Sequence, residues 1–477
     1  MTRLFSHQIR IIVLICAFFS LAFTMGAAST PKERRETFNL VWSRVNERFY
    51  DPKFNGVNWK SIKIKYSKKL TSVKTDDQLY ALLNNMLEEL KCSHFAVIPP
   101  SAYIETNDKA PENKTSDLDT ESDSNNESEP DIEPSSDVES DSYAGSDSDV
   151  GLTVQVVEGK PTITRTEPDS PAAQVGLRPG FIITHLDDTP LSDLQKKIAS
   201  RKERPAMSNL LLSQAVESIL SGDEGSEIEI RYLDDKDIAQ KVVLKRRVPR
   251  GKPVKFGEMP RIYVTEESRR LSEGIGYVRF NIFLLQILDK IKADIRSFAN
   301  APGIIIDLRG NPGGIGGMAP PIAALFHSQR VSLGAMKMRK GEIRFVVFPV
   351  SDPYKKKLVI LIDETSASTS EVMAGGMQAN KRAIIVGQVS AGAALPSMIE
   401  KLPTGARLQY AIADFKTPKG VTIEGRGVIP DVKVAPTRRD LLEGRDPIIE
   451  RAVELILNAD RQKSEQSSLG SELKRMR

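Results

Sequence analysis

Between residues 103 and 149 the chain holds almost nothing that a folded core could use: the stretch is built mainly from Ser, Asp, Glu and Asn, with very few apolar side chains. Such a segment cannot offset the entropy cost of ordering itself, so it is expected to be an acidic, disordered linker. The chain therefore has to fold as separate pieces on either side of it. Residues 103 to 150 contain 16 acidic side chains against two lysines, a local charge of −14, and with +4 for the whole chain the remainder carries +18. Alternating Asp and Ser can suggest calcium, but the EF-hand loop needs a glycine at its sixth position and no acidic run here supplies one.

The length of 477 residues leaves room for two or three packed domains at roughly 100 to 200 residues each. An apolar fraction of 40% with 27% charged residues excludes a wholly disordered or multi-span membrane chain. Residues 1 to 28 have the parts of an export signal: Arg3 and Arg10, an apolar run from Ile11 to Phe23, then Gly26, Ala27 and Ala28. The run is too short to span a bilayer as a helix, so a cleaved signal and a periplasmic or extracellular protein are expected. Cys16 would leave with it, and Cys92 alone cannot form an internal disulfide. The basic remainder suits a solvated surface or peripheral association with membrane headgroups. No zinc-finger spacing, phosphate loop or aromatic RNA-binding pattern accompanies it, so nucleic acid is not expected as a partner.

Residues 32 to 102 read as a helical unit. Thr75 to Gln78 has the form of a capping box, and Leu79, Leu83, Met86 and Leu90 make an apolar stripe leading to Cys92-Ser93-His94. Residues 150 to 250 alternate short strand-like runs with turns and a helical stretch up to Leu220. From 255 to 460 strands and helices alternate: 274–280, a helix Leu285 to Ala299, 303–314, a helix near Pro321 to His327, 358–364, a helix from Ser368 to Asn380, and 383–387. That order implies mostly parallel strands. Residues 461 to 477 are expected to be a flexible tail. The fold class is multidomain α+β: a helical N-terminal unit, a β-rich middle domain and an α/β domain.

The strongest local signal is LVILIDETSASTSEVMA at 358 to 374. A buried strand enters a tight polar turn and passes straight into a helix, whose free N–H groups stabilise an oxyanion formed when a serine attacks a carbonyl. The plainer reading is that Ser366, Ser368 and Ser370 only cap the helix.

SASTSE at 366 to 371 resembles the nucleophile motif of the carboxyl-terminal-processing proteases, whose middle serine attacks; here that is Ser368. DLRGNPGG at 307 to 314, RAIIVGQ at 382 to 388, DFKTPKG at 414 to 420 and GRGVIPDV at 425 to 432 follow in the family's order. Gly151, Leu152, Thr153 and Val154 stand where a PDZ domain has its carboxylate-binding loop, and DSPAAQVGLRPG resembles the helix and turn after it. The bacterial and chloroplast branch takes the serine proton with a lysine in a Phe-Gly-Lys-Gly stretch. Here that stretch is Ala391-Gly392-Ala393-Ala394, and an alanine accepts no proton.

Another base is needed. Ser93-His94 resembles the Ser-His pair of tricorn protease, in whose branch a glutamate ahead of Gly-Val-x-Pro-Asp completes the relay; Glu424 occupies that place. The resemblance implies His94 as general base, Ser93 as its bridge to Glu424, and a crotonase-like ββα spiral for the α/β domain. The amides of Gly313 or Gly314 and of Thr369 are the expected oxyanion hole. His185 and His327 read as structural, and no metal or cofactor is expected. The implied activity is serine endopeptidase action on exported or unfolded polypeptides, selected through their C-terminal segments by the PDZ-like domain. The missing lysine leaves an inactive peptide-binding scaffold as the alternative.

Overall fold

The computed structural model describes residues 29–100, 148–200, 203–254 and 262–458. The expected export signal, tail and nearly all of the acidic linker lie outside the described residues.

Two apolar cores sandwich a six-stranded sheet in the order Glu266–Arg270, Gly276–Phe280, Gly303–Asp307, Lys357–Ile362, Ile384–Gly387, Val432–Lys433. The first pair is antiparallel and the rest are parallel. Successive side chains of a strand point to opposite faces, and here the two sets separate cleanly. Ile304, Ile306, Leu358, Ile360 and Ile362 join a core with Phe280, Phe283 and Met373, whereas Ile305, Val359 and Leu361 pack on Ile448, Ala452 and Ile456 of the helix at 447–458. Parallel strands covered on both faces need such continuous apolar runs. Their carboxyl ends open onto the loops 307–314 and 363–368, the side where open α/β sheets place ligands.

The N-terminal helices Pro31–Arg48, Trp59–Leu70 and Asp76–Leu87 bury Phe38, Val41, Val45, Leu79, Leu83 and Met86. Thr30 caps the first: its Oγ1 accepts from Glu33 N at 3.2 Å, and the Glu33 carboxylate accepts from Thr30 N at 2.7 Å. The expected box at Thr75 is only half formed, because Gln78 Oε1 accepts from Lys74 N at 2.8 Å, one residue earlier. This helical unit is not self-contained. Its core takes in Leu395, Leu402, Leu408 and Tyr410, and the strand Ala96–Ile98 pairs antiparallel with Arg407–Ala411, itself paired with Ser397–Lys401. That pairing fixes residues 91–95 against the segment that follows residue 390.

The middle unit is an antiparallel sheet in the order Leu152–Val157, Lys160–Thr166, Ile182–Leu186, Glu227–Leu233, Ala239–Lys245. Leu152–Val157 is an edge strand flanked by the helix Pro205–Leu220. The hairpins Val331–Met338 with Glu342–Val347, and Ser397–Lys401 with Arg407–Ala411, are additional to the strands read from sequence. Two expected helices begin differently: Leu285–Ile287 is a 3₁₀ turn ahead of Leu288–Ser297, and the helix expected to end at His327 runs Ala319–Ala324.

Candidate active site

Asp363 organises the turn that leaves the strand Lys357–Ile362. Its Oδ1 accepts from Gly310 N at 3.1 Å, Thr365 N at 3.0 Å and Thr365 Oγ1 at 2.7 Å. Ser366 Oγ donates to Leu308 O at 2.7 Å and Ser370 Oγ to Asn311 O at 2.9 Å, so both serines fasten the turn to the glycine loop. Ser368 between them differs. It is the N-cap of the helix Thr369–Ala379 with φ 50° and ψ −116°, a backbone region that costs energy for any residue with a Cβ. Such strain at a strand-to-helix turn is how a nucleophilic serine is held clear of its neighbours.

Gly313 lies directly against this serine. A Cβ on it would stand 2.7 Å from Ser368 Cβ and 2.9 Å from Thr369 N, and its φ is 111°, so no larger residue fits without displacing the turn. Its own N–H donates to Asn311 Oδ1 at 2.9 Å. Thr369 Oγ1 donates to Gly314 O at 2.7 Å, which ties the second glycine to the first turn of the helix.

Residues 91–95 leave the turn Glu88–Leu90 with Lys91 at φ 52° and His94 at φ 61°. Ser93 N and Ser93 Oγ donate to the two Glu424 oxygens at 2.9 and 3.0 Å, and Ser93 Oγ also pairs with His94 Nδ1. Burial pushes the Glu424 carboxyl above its ordinary value, opposed by His94 and by the Ser93 and Ala394 N–H groups. Ala394 N donates to Glu424 Oε2 at 3.1 Å, while the carbonyl of Ala393 accepts from Ser368 N at 2.9 Å. A continuous set of hydrogen bonds thus runs from the strained serine through residues 393–394 to Glu424, Ser93 and His94. Position 393 meets the serine with backbone only.

The other histidines lie elsewhere. His327 Nδ1 faces Ala323 O at 3.0 Å and burial lowers its pKa, whereas His185 sits on the strand Ile182–Leu186 beside Thr184 Oγ1. Gly151 N donates to Asp149 Oδ1 at 2.9 Å, and a Cβ on Gly151 would fall 2.2 Å from Ser170 Cβ. Beyond it Leu152 is half-buried, Thr153 exposed and Val154 in the core of the unit. The edge strand and its helix abut the 363–368 turn and the segment after residue 390: Gln155 Nε2 donates to Asp363 Oδ2 at 2.8 Å, Asn209 Nδ2 to Glu364 Oε2 at 2.6 Å, and Arg204 Nη2 to Ala391 O at 2.7 Å.

Sequence reasoning passed over Glu371. It is fully buried and accepts from Ser368 N at 3.1 Å, Gly392 N at 2.7 Å and Ala393 N at 3.0 Å, and from Ser390 Oγ. Its signal was present, since Ser368 and Glu371 have the spacing of a serine helix cap and a glutamate reaching back to it.

Residues 274–434 match the family model described as Peptidase family S41, and residues 30–88, ending just ahead of Ser93, match the Tricorn protease C1 domain. The chain is 23% identical over 430 residues to a carboxyl-terminal-processing protease of Synechocystis sp., covering 87% of this chain and 86% of that protein. Its fold is similar to that of a photosystem II D1 C-terminal processing protease, with TM-score 0.54, 22% identity and coverage of 86% of this chain and 97% of the other. Mature CPAF gives a TM-score of 0.60 at 14% identity, covering 90% and 98% of the two chains. The chain thus carries a Peptidase family S41 domain and a Tricorn protease C1 domain, and is a serine-type peptidase similar over most of its length to carboxyl-terminal-processing proteases.

Proposed function

We propose that the chain cleaves exported or unfolded polypeptides with Ser368 as nucleophile and His94 as general base, in a relay completed by Ser93 and Glu424. His94 takes the proton of Ser368 as Oγ attacks the peptide carbonyl, then returns it to the leaving amine; water clears the acyl-enzyme. Imidazole is the side chain suited to taking up and returning a proton near neutral pH, whereas a lysine requires a large shift to do so. Glu424, reached through Ser93, keeps the imidazole oriented and stabilises its charged form. One observation carries the reading: the Glu424–Ser93–His94 hydrogen bonds occur in a chain whose position 393, the place of the lysine in the bacterial and chloroplast branch it resembles, is alanine.

Thr369 N, at the start of the helix, and a glycine amide of the 313–314 pair form the oxyanion hole. The Gly313 N–H is directed to Asn311 Oδ1 at 2.9 Å, and either glycine amide lies beside the first turn of the helix. Gly313 contributes by having no side chain.

The middle unit, 150–250, is read as a PDZ-like domain that takes C-terminal segments of substrates at Gly151, Leu152, Thr153 and Val154. An edge strand beside a helix is the arrangement by which a peptide adds to a sheet, and both elements adjoin the turn before Ser368. The unit 255–460 is read as a crotonase-like spiral, and 32–102 as the unit contributing Ser93 and His94. Export, followed by signal cleavage, remains part of this proposal. Among the described residues no helix is long and apolar enough to cross a membrane.

Cleavage of an unfolded casein-like protein, with fluorophosphonate labelling of Ser368, tests the reading. Ser368→Ala should abolish both, and His94→Ala should lower kcat by roughly 10³-fold or more while leaving the fold intact. Unchanged labelling in His94→Ala would remove the imidazole from the mechanism.

A further inference from the structure

We propose that Glu371 is the positioning residue of this site: its buried carboxylate joins the nucleophile turn to the 390–394 segment and, through that segment, to the loop carrying Glu424. The inference rests on the serine-peptidase reading and extends it to a side chain that touches neither substrate nor the reacting atoms.

Glu371 Oε2 accepts from Ser368 N at 3.1 Å and Ala393 N at 3.0 Å, and Oε1 accepts from Gly392 N at 2.7 Å and from Ser390 Oγ. One carboxylate thus fixes the backbone of the nucleophile and three residues of the segment against which it packs. Ser390 extends the junction, because its Oγ accepts from Val428 N at 2.6 Å and its N–H donates to Val428 O at 3.2 Å. Gly425 N donates to Gly392 O at 2.9 Å, and Ala394 N holds Glu424 Oε2 at 3.1 Å. Every route from Ser368 to Glu424 traced above therefore passes through residues that Glu371 holds.

A cap whose only task is to stabilise its helix needs only the reciprocal bonds at the first turn. Glu371 makes one such bond and spends its remaining lone pairs outside the helix. Position 393 is an alanine that meets this junction through its N–H and its carbonyl; the first binds Glu371 and the second Ser368 N. The carboxylate thereby holds by backbone the spacing between two halves of a relay that come from distant parts of the chain. Glu424 is the other ionisable group facing it, and it acts to raise the Glu371 pKa.

Glu371→Gln is the informative change. Its amide replaces one acceptor oxygen by a donor, which then confronts either Gly392 N–H or the pair Ala393 N–H and Ser368 N–H. The folded variant should lose roughly 10- to 100-fold in kcat with KM within about threefold, the size expected when reacting groups are misplaced by a fraction of an ångström to 1 Å. Amide hydrogen exchange read by mass spectrometry should show lost protection in both 390–394 and 424–428, with the sheet strands unchanged. A helix cap alone would lower thermal stability and leave kcat and the 424–428 protection as in wild type; that result overturns the proposal. Should Glu371→Gln fail to fold, Ser390→Ala, which removes one of the four donors, decides by the same two readouts, with a smaller kcat loss expected. If wild type neither cleaves nor labels, the peptidase reading fails by itself, and the exchange measurement still decides whether Glu371 couples the two segments.

Discussion

Asp307 and Glu371 are both fully buried carboxylates at the carboxyl-terminal side of the parallel sheet, yet they are satisfied by different chemistry. Asp307 faces cations: Arg309 reaches both its oxygens at 2.7 and 2.9 Å, Arg279 approaches to 3.5 Å, and Tyr277 donates at 2.7 Å. Burial acts to raise its pKa, but the two guanidiniums outweigh it and hold the carboxyl well below the usual range. Glu371 has only neutral N–H and O–H donors. There burial wins, helped by Glu424, and the carboxyl is pushed up to about 7. A charge paired with guanidinium is a fixed part of the frame, whereas one held by neutral dipoles changes state in the range where a peptidase works.

The largest effect should come from breaking the paired site. Asp307→Asn leaves the half-buried Arg309 and Arg279 beside a neutral amide, with Arg309 still tied to Asp446 at 2.8 Å. Removing one member of a buried pair costs about 3–5 kcal/mol, to be read from the midpoint of denaturant unfolding. The protein that stays folded should keep its kcat. A cost below about 1 kcal/mol would mean that the pair contributes little to the frame.

The loop 307–314 also reaches the other kind of surroundings, because Gly313 at its far end lies against Ser368. Gly313→Ala forces a Cβ to within 2.7 Å of Ser368 Cβ at a φ of 111°. We expect roughly a 100-fold fall in kcat, about 2.7 kcal/mol, from a displaced serine. Its readout is the rate of fluorophosphonate labelling. An unaltered rate would show that the turn yields without consequence for Ser368.

The pH dependence of stability separates the two carboxylates directly. Asp307, with a depressed folded pKa, contributes stability that is fully present above its unfolded value and lost only as pH falls through the strongly acid range. Glu371 has the opposite sign: its contribution is fully present below the unfolded value of 4.5 and is lost as pH rises through about 7. Between those limits Asp307 is silent, while Asp149, pushed to about 6 mainly by burial, adds a slope of the same sign as Glu371. The difference between wild type and Glu371→Gln isolates the Glu371 share. Wild-type stability should fall with the steeper slope, by on the order of 3 kcal/mol across the window; parallel curves would exclude Glu371 as a titrating group there.

How far the sequence reveals these arrangements depends on the range of the interactions. The strands 303–307, 357–362 and 384–387 are legible because burial on both faces demands continuous apolar runs, and the helix after Ser368 because its start is written in small polar residues. The 397–411 hairpin is not legible, because its apolar side chains acquire meaning only from helices more than 300 residues earlier in the chain that complete their core. The same holds at the site. Ser368, His94 and Glu424 stand out by residue type against known patterns, whereas the hydrogen bonds joining Ala393 and Ala394 to Ser368 and Glu424 are made by backbone atoms that every residue has. Glu371 was hidden differently: a glutamate three residues after a serine is so common a cap that nothing in the sequence separates local use from long-range use.

Asp363 is the third carboxylate of this end of the sheet, and its place in the comparison rests on the middle unit. Its Oδ1 accepts from Thr365 and Ser366 within the turn and from Gly310 of the 307–314 loop, and Oδ2 reaches the middle unit through Gln155 Nε2 at 2.8 Å. Asn209 makes the neighbouring contact to Glu364 at 2.6 Å. If the turn is held from within, deleting these two outer bonds should cost only the net worth of ordinary hydrogen bonds, about 0.5–1.5 kcal/mol each. The double variant Gln155→Ala with Asn209→Ala should accordingly show a small drop in melting temperature and a kcat within about twofold of wild type, since nothing that aligns Ser368 has been removed. A kcat loss beyond about tenfold would place Asp363 with Glu371 instead, as a carboxylate through which the edge strand Leu152–Val157 and the helix Pro205–Leu220 set the geometry of the serine.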